Sequence, residues 1–393
     1  MRICYLANLF PPVQTGTSYY TRQLTDAMVA AGHEVLVITC AEGRIGSDSV
    51  EQGVRVIRLP SRGVPRLALF QGFDRFRLAW TPRNYRQVEK AARAFRPDLI
   101  HACGHLLDLA HLAGRLARDL GVVSACSIHT VIHHPENKLS DWLLRTVDQS
   151  VHARLAMKWF DWILTLDKDT SAYARRTYPG MRTVPVPWGV SFDFDRYHHT
   201  ATTDGTLKVL SVGHLTHMRS RAALIEAVGR LRDEGIPCAL RIVGKICTDD
   251  PLKQVEARGL ADRVLFIGEQ PREQVLKELV ACDVHAMWIS NPGVGSAGME
   301  AMSVGVPTMM WAAPDQLGFV DLQHMENTVL IDPSDPETVA EALRCLARDT
   351  GLRERIGRQG RELARENFSW PRIAIRMGEI YERLVTEARA THP

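Results

Sequence analysis

The stretch VHAMWISNPGVGSAGMEAMSVGVPTMMW, residues 284–311, decides the fold of this chain. It opens with an apolar run of strand length, VHAMWI, and closes with another, VPTMMW. Between the two runs lie a glycine-rich turn and the helical sequence MEAMSVG. Two strands that are joined by a helix run parallel in one sheet. The stretch therefore predicts a βαβ unit with a turn at the carboxyl end of its first strand.

The same alternation of short apolar runs and helical patterns occupies most of the chain, and it predicts parallel α/β structure. Residues 191–207 are polar and show neither helical nor strand periodicity, so they are predicted to link two α/β domains. The domains are expected at 1–195 and 206–370, with a terminal helix at 371–393 that packs back on the first. The predicted strands before the linker are ICYLANLF, GHEVLVITC, GVRVIRL, DLIHA, VVSACSI, WILTL and TVPVP, and those after it include LKVLSVG, CALRIVG and RVLFIG.

Composition excludes several classes of protein. The net charge of +3 over 393 residues is too small for a dedicated nucleic-acid binder. The eight cysteines contain no CxxC pair, which argues against a zinc or disulfide framework. The opening MRICYLANLF is short for a signal peptide, and no apolar stretch approaches the ~18 residues of a membrane helix. We expect a cytoplasmic protein.

A long helix is predicted near residues 138–160. It carries an apolar stripe, which we expect to pack in the core rather than to anchor the protein at a membrane. The stripe consists of Trp142, Leu144, Val147, Val151, Leu155 and Trp159.

The turn before Glu300 has the composition of an anion site. Unpaired amides at a helix N-terminus attract anions, and glycines allow a phosphate to approach the backbone. Glu300, placed by this pattern in the first helical turn, can accept two hydrogen bonds from the vicinal hydroxyls of a ribose. The alternative is a glycine-rich turn whose glutamate merely stabilises the helix N-terminus. The stretch lacks the GKS or GKT of a Walker loop.

A second cluster, SVGHLTHMRS at residues 211–220, also follows a predicted strand. Gly213 ends the strand, and His214, His217 and Arg219 follow it. Basic groups at this place can neutralise a diphosphate leaving group. The alternative is a solvated basic turn.

The chain resembles the retaining GT-B glycosyltransferases of the family-4 type, whose second domain is called "glycosyl transferases group 1". The resemblance covers nearly the whole chain in family order. It implies two Rossmann-like α/β/α domains facing a cleft, with the last helix crossing back to the first domain. The stretches that carry it include CYLANLFPPVQTGTSYYTRQLTDAMVAAGHEVLVIT, RPDLIHA, VVSACSIHT, VPVPWGVSFDFDRY, LKVLSVGHL, VLFIGEQPREQVLKELVACDV and ENFSWPRIAIRMGEIYERL.

The family signature is a Glu, seven residues, and a second Glu. Glu300 matches the second position, which in the family binds the nucleotide ribose. Pro292 stands at the first, so a carboxylate that usually serves the donor sugar is missing. Asn291 beside it can hydrogen-bond a sugar hydroxyl but carries no charge. The resemblance also implies donor binding by the glycine turn, through Gly293, Gly295, Ser296, Ala297 and Gly298.

The family also has an Arg one residue after the strand-end glycine and a Lys six residues after it. His214 and Arg219 stand at these positions, beside Gly213. Arg219 keeps a permanent charge and is expected to act on the diphosphate during catalysis. Gly16 matches the N-terminal loop that approaches the donor phosphates, where the usual second glycine is Thr15.

His129 matches a histidine that in the family faces the acceptor and the reacting sugar, so it is the second expected catalytic residue. Glu269 and Gln270 follow a strand near the place where the family backbone meets the base. They are candidates for base binding.

The resemblance implies a retaining transferase that moves a sugar from a nucleotide-diphosphate donor to an acceptor hydroxyl. It implies no cofactor and no metal, with the nucleotide sugar as co-substrate. A small-molecule or glycan acceptor is expected, nucleic acid and membrane are not, and a homodimer is compatible with the sequence. Two alternatives stay open: a sugar-nucleotide 2-epimerase on the same fold, and a degenerate, non-catalytic partner subunit.

Overall fold

The computed structural model describes residues 1–391 except 14, 64–76, 130, 132–137, 191, 201–204, 217–218, 288–292 and 333. Contacts divide the chain into two compact units. The first unit is Met1–Gly189 together with Trp370–Pro393, and the second is Val190–Ser369.

The first unit contains an eight-stranded sheet with the order β10-β9-β8-β7-β1-β2-β4-β3. Neighbouring strands are parallel, except that β3 runs antiparallel to β4. Two short strands, β5 and β6, form a separate antiparallel pair. The strands are β1 (Arg2–Ala7), β2 (Glu34–Cys40), β3 (Ser47–Glu51), β4 (Val54–Leu59), β5 (Arg62–Gly63), β6 (Arg77–Leu78), β7 (Leu99–Cys103), β8 (Val123–Ile128), β9 (Trp162–Thr165) and β10 (Arg182–Pro185).

Helices cover both faces of this sheet, so its strands are apolar on both sides. Ile3 and Tyr5 of β1 belong to the core beneath α1 and α13, whereas Cys4 and Leu6 belong to the core beneath α2 and α3. The helices are α1 (Gly16–Ala30), α2 (Pro82–Phe95), α3 (Asp108–Leu120), α4 (Lys138–Val147), α5 (Ala153–Leu155), α6 (Lys168–Thr177) and α13 (Trp370–Thr391).

The second unit contains a six-stranded sheet with the order β13-β12-β11-β14-β15-β16, parallel throughout. The predicted βαβ unit of residues 284–311 is confirmed: α10 connects β14 to its parallel neighbour β15. The strands are β11 (Leu207–Val212), β12 (Cys238–Val243), β13 (Val264–Gly268), β14 (Val284–Met287), β15 (Thr308–Met310) and β16 (Val329–Leu330). The helices are α7 (Ala222–Asp233), α8 (Asp250–Ala257), α9 (Arg272–Ala281), α10 (Gly295–Val304), α11 (Pro336–Arg348) and α12 (Thr350–Asn367).

Each sheet has a point at which the strand order reverses. In the first unit β1 lies between β2 and β7, and in the second unit β11 lies between β12 and β14. The connections on the two sides of such a point diverge, which leaves a crevice at the carboxyl ends of the strands. The topology therefore predicts one ligand crevice beside β1 and β7 and another beside β11 and β14.

The long helix predicted near residues 138–160 is confirmed over residues 138–155, but it is not a regular α-helix. α4 continues directly into a π-helical turn Asp148–His152 and then into α5, and a 3-10 turn Met157–Trp159 follows. Asp148 is buried and accepts hydrogen bonds from the hydroxyls of Tyr173 and Tyr178. This contact places a polar side chain of the segment toward the interior.

The apolar stripe on this segment does not pack in the core as expected. Trp142, Val147 and Leu155 are 62%, 47% and 56% exposed. None of the helices in the described part of the chain is both long and apolar enough to cross a bilayer.

The described part of the predicted linker packs against the second unit. The amide of His199 donates to the carbonyl of Val304 at 3.1 Å, and that of Thr200 donates to Val280 at 3.1 Å. Arg361 of α12 donates to the carbonyls of Tyr197, Ser303 and Val304 at 2.9, 3.0 and 3.0 Å. These contacts make residues 192–200 part of the second unit's surface.

The terminal helix α13 lies in the first unit, and its apolar face belongs to the core beneath α1. Met377, Ile380, Tyr381 and Leu384 are all buried there. The Tyr381 hydroxyl lies 2.7 Å from Nδ1 of His101 on β7 and 3.2 Å from the Tyr5 hydroxyl on β1. Burial lowers the pKa of His101 to about 3, so its ring is neutral at pH 7.

Tyr381→Phe tests how much this buried polar contact stabilises the first unit. Removing the hydroxyl leaves Nδ1 of His101 without its partner, and Nε2 already has none within the described part of the chain. A buried polar group without a partner costs about 1–3 kcal/mol. We therefore expect the free energy of unfolding to fall by that amount in Tyr381→Phe, as measured by urea unfolding followed by circular dichroism. Tyr19→Phe, at a tyrosine of α1 that is 55% exposed, is the control. Equal effects of the two substitutions would contradict the prediction.

Candidate functional site

The carboxyl ends of β11, β12 and β13 lie close together in the second unit because glycines stand there. Gly244 has φ +150, and a Cβ on it would lie 2.2 Å from the carbonyl oxygen of Gly213. No other residue fits that position. The Gly244 amide in turn donates to the Gly268 carbonyl at 2.9 Å. The loops that follow the three strands are therefore held at one edge of the sheet.

The loop after β11 places two predicted residues at this edge. His214 and Arg219 are exposed, which leaves both side chains accessible to a ligand. Arg219 lies near the strand end, since a Cβ on Gly213 would be 3.9 Å from its Nη1. Nδ1 of His214 accepts a hydrogen bond from the Lys245 amide at 3.1 Å. In this arrangement His214 is the neutral tautomer with its proton on Nε2.

The helix α10 begins at Gly295, four residues before the helical sequence MEAMSVG that starts at Met299. Gly295 has φ +58, which suits glycine at this start. The preceding Val294 provides no side-chain cap, so the amides of Gly295, Ser296 and Ala297 are not capped from that side. The helix follows β14, at the strand-order reversal where a ligand crevice is expected.

Glu300 consequently lies in the second turn of α10, not the first. Its carboxylate is largely buried, with 18% of the side chain exposed. Burial raises the pKa of Glu300, and Arg272 partly opposes the shift. Nη2 of Arg272 donates to Oε1 of Glu300 at 2.8 Å.

Arg272 is a site residue that sequence reasoning missed. It begins α9, on the loop that follows β13, and lies 28 positions from Glu300. Its side chain is 53% exposed. A basic residue at the start of a helix gives no signal for such a contact, because the contact depends on the order of strands in the sheet.

The remaining predicted donor residues divide into three groups. The Gly293 amide donates to the Trp311 carbonyl at 2.8 Å, so this amide is not free for an anion. Gly298 is buried, and a Cβ on it would lie 3.4 Å from Met287 Sδ and 3.6 Å from Met310 Cε. Asn291 and Pro292 lie outside the described residues.

Glu269 and Gln270 follow β13 at the same sheet edge. Glu269 is exposed, and Gln270 donates through Nε2 to the Ile267 carbonyl at 3.3 Å. Their position agrees with the strand-end placement expected from the sequence.

A pocket of the first unit lies at its own strand-order reversal, beside β1 and β7. Asn8, Thr17, His105 and His129 are among the residues that line it. Gly16 precedes Thr17 and begins α1, where Thr15 caps the helix by accepting from the Ser18 amide at 3.1 Å. A Cβ on Gly16 would meet nothing within 4 Å, so packing within the chain does not require this glycine.

His129 is held firmly in this pocket. Its Nε2 lies 2.7 Å from the Ser127 hydroxyl, and its ring packs edge-on against Tyr20 at 5.0 Å between centroids. Tyr20 stacks in turn on Trp188 at 4.8 Å. Burial lowers the pKa of His129 to about 4, so the ring is neutral at pH 7. Its Nδ1 is buried without a hydrogen-bond partner among the described residues.

His105 is a second histidine of the pocket, which sequence reasoning missed. It follows β7 and is 1% exposed, and neither ring nitrogen has a hydrogen-bond partner among the described residues. Burial and the neighbouring His152 and His129 lower the pKa of His105 well below its ordinary value. The described lining thus presents neutral hydrogen-bonding groups.

The described residues therefore form two candidate sites, each within one unit. The second unit brings Gly213, His214, Arg219, the start of α10 and Glu300 to one sheet edge. Gly16 and His129 belong to the first unit. Within the described residues, no three His, Cys, Asp or Glu side chains are arranged to hold a metal ion.

Curated relatives match over most of this chain. It is 26% identical over 97% of its length to a glycogen synthase of Mycobacterium tuberculosis, of which 94% is covered. It is also 26% identical to a GDP-mannose-dependent alpha-mannosyltransferase of Mycolicibacterium smegmatis, over 82% of each chain.

Solved structures show the same fold. Sucrose-phosphate synthase from Thermosynechococcus elongatus has a TM-score of 0.68 at 20% identity, over 98% of this chain and 100% of that one. Anabaena HepE in complex with UDP has a TM-score of 0.68 at 17% identity, again over 98% and 100%. The fold is GT-B.

Two family models cover the chain almost end to end. Residues 15–189 match the model described as "Glycosyl transferase 4-like domain", and residues 196–363 match "Glycosyl transferases group 1". The chain therefore belongs to the glycosyltransferases that combine a glycosyl transferase 4-like domain with a group 1 domain.

Proposed function

We propose that this glycosyltransferase moves a sugar from a nucleotide-diphosphate donor to an acceptor hydroxyl with retention of configuration at the anomeric carbon. One observation carries the proposal: Glu300, the start of α10 and the loop of Gly213 to Arg219 lie at the edge where the strand order of the second unit reverses. Relatives that bind GDP-mannose, UDP or UDP-glucose by name support a nucleotide sugar without selecting the base.

In this proposal the second unit recognises the ribose, the diphosphate and the base of the donor. Glu300 accepts hydrogen bonds from the ribose hydroxyls through its carboxylate, beside the ion pair with Arg272. Arg219 and the first-turn amides of α10 receive the diphosphate, where negative charge grows as the bond to the sugar breaks. Glu269 and Gln270 lie on the neighbouring loop, at the place proposed for the base.

The chemical step requires no protein base. The bond between the anomeric carbon and the diphosphate oxygen breaks, and the acceptor oxygen forms a bond to the same carbon on the face that the diphosphate leaves. The acceptor proton passes to a diphosphate oxygen. A product with inverted configuration, read by NMR of the new linkage, would rule out this part of the proposal.

The pocket of His129 and His105 is proposed to bind the acceptor. Its neutral ring nitrogens can exchange hydrogen bonds with hydroxyl groups, as a small-molecule or glycan acceptor requires. Because the ring of His129 packs against Tyr20, its position is fixed and it can orient the acceptor.

A non-catalytic partner subunit is the second candidate function. Pro292 in place of the first motif carboxylate, together with the neutral tautomer of His214, favours it. Turnover by the purified chain alone excludes this candidate.

Glu300→Gln tests the donor site. The substitution keeps the shape of the side chain and weakens hydrogen bonds to a charged acceptor, each worth about 1.5–3 kcal/mol. We expect one of UDP, GDP, ADP, CDP and dTDP to raise the thermal midpoint of the wild type, and its affinity to fall about thirtyfold in the variant. Glu273→Gln, at an exposed glutamate of α9, is the control. If both variants bind like the wild type, Glu300 does not hold the ribose.

Arg272→Ala tests the electrostatics of Glu300. The ribose contact requires the carboxylate, so nucleotide binding weakens as the pH falls through the raised pKa of Glu300. Arg272 lowers that pKa, and its removal raises it further. We therefore measure nucleotide affinity as a function of pH. In Arg272→Ala we expect the loss of affinity on acidification to begin at a higher pH than in the wild type.

Arg263→Ala serves as the control for this pH profile. Arg263 forms its ion pair with Asp262, at 3.1 Å, and not with Glu300. The ionisation of the ligand's own phosphate is common to all three proteins and cancels in the comparison. A loss of affinity that begins at the same pH in Arg272→Ala as in the wild type would contradict the assignment of the ion pair.

His129→Gln tests the proposed acceptor pocket. Displacing a positioned contact of the reacting groups by about 1 Å can lower the rate about a hundredfold. We expect a loss of turnover near that size and an unchanged affinity for the nucleoside diphosphate, which binds the other unit. His198→Gln, at an exposed histidine, should leave both quantities unchanged. A parallel loss of nucleotide affinity in His129→Gln would show that the histidine acts on the donor instead.

A further inference from the structure

Arg221 is a buried arginine directly beneath the loop that follows β11. It precedes α7 and is only 1% exposed. Its Nε donates to the Ser211 hydroxyl at 2.6 Å, Nη1 to the Arg219 carbonyl at 2.6 Å, and Nη2 to the Gly213 carbonyl at 3.4 Å. One guanidinium thus connects the end of β11 to both ends of the loop.

The charge of Arg221 has no opposite charge beside it. All three acceptors are neutral, and among the described residues no carboxylate forms an ion pair with this guanidinium. The stretches 217–218 and 288–292 contain neither Asp nor Glu. A buried charge without a counter-charge is costly in free energy.

The other titratable groups around Arg221 do not compensate it. Burial and the charge of Arg219 lower the pKa of Arg221 to about 10, which keeps it cationic at pH 7. His285 on β14 is fully buried, and burial with the charge of Arg221 lowers its pKa to about 3. The ring is therefore neutral. The edge of the sheet holds an excess of positive charge.

The same loop lacks a charge where the family motif has one. His214 occupies the position of the motif arginine, and its Nδ1 accepts from the Lys245 amide. A ring nitrogen that accepts a hydrogen bond carries no proton. The exposed part of the loop therefore offers one permanent cation, Arg219.

We propose that Arg221 supplies the second positive charge of the diphosphate site from beneath the loop, and that the donor's diphosphate is its counter-ion. The inference rests on the proposed function. Arg221 acts as a positioning residue without touching the donor, because a charge in a buried, low-dielectric place acts over longer distances than one in water. Its contacts to the Gly213 and Arg219 carbonyls also turn the N–H groups of the next residues away from it, since the peptide is planar and trans.

The test separates charge from packing by comparing two ligands. Calorimetry measures the affinities of UDP, GDP and ADP for the wild type, Arg221→Met and Arg221→Lys. Competition calorimetry with the same three proteins gives the affinities of the nucleosides uridine, guanosine and adenosine. For the diphosphate that the wild type binds best, we expect Arg221→Met to lose about tenfold in affinity while the nucleoside changes less than about twofold. The salt dependence of diphosphate binding should become shallower. Arg221→Lys should retain most of the affinity.

Arg361→Met is the matched control, because Arg361 also donates to backbone carbonyls of the second unit. It should lower the thermal midpoint without changing the ratio of diphosphate to nucleoside affinity. Adding His214→Arg to Arg221→Met returns a charge to the motif position, and we expect it to restore diphosphate binding. A lasting loss in this double variant would overturn the inference.

A further variant applies even if Arg221→Met does not fold. With Arg221 in place, His214→Arg should raise diphosphate affinity less than about threefold, whereas a tenfold gain would show that the site lacked its second charge. An unchanged ratio of affinities in folded Arg221→Met also overturns the inference and leaves the proposed function intact. If the wild type binds no nucleoside diphosphate, the proposed function fails and the inference fails with it.

Discussion

β11 pairs in parallel with β12 on one side and with β14 on the other, and the candidate donor site depends on this pairing. Parallel neighbours bring their carboxyl ends to one edge, and the reversal of strand order leaves room there. Residues that are far apart in sequence meet at that edge for this reason. The first unit repeats the arrangement around β1 and β7, where its own pocket lies.

Close backbone contact holds the strand ends together at this edge. The contact of Gly244 with the Gly213 carbonyl leaves no space for a side chain, and Arg221 donates to the same carbonyl. The Gly213 carbonyl is thereby held in place before any ligand arrives. Preorganised dipoles and charges of this kind stabilise developing charge without a cost of reorganisation at the moment of reaction.

The sequence predicted those strands and helices that are determined by the local pattern of apolar and polar residues. Alternating apolar runs and helical patterns identified the parallel strands, and the apolar face of α13 was predicted correctly. Contacts between distant residues left no such signal: neither Arg272 beside Glu300 nor Arg221 beneath its loop could be found from spacing. The stripe on residues 142–159 misled because Trp142, Val147 and Leu155 lie exposed, whereas the polar Asp148 is buried, which no periodicity reveals. Glu300 was placed one turn early because glycines at 295 and 298 hid the start of α10.

The second unit is inserted into the sequence of the first, between Gly189 and Trp370. The first unit is completed only by α13, whose Ile373 and Trp370 lie so close to Gly189 that a Cβ there would be 2.6 and 2.8 Å from them. During synthesis the ribosome therefore releases the whole second unit before the last helix of the first. The first unit must wait with the core face beneath α1 uncovered until α13 emerges, so its folding is tied to the synthesis of the second unit.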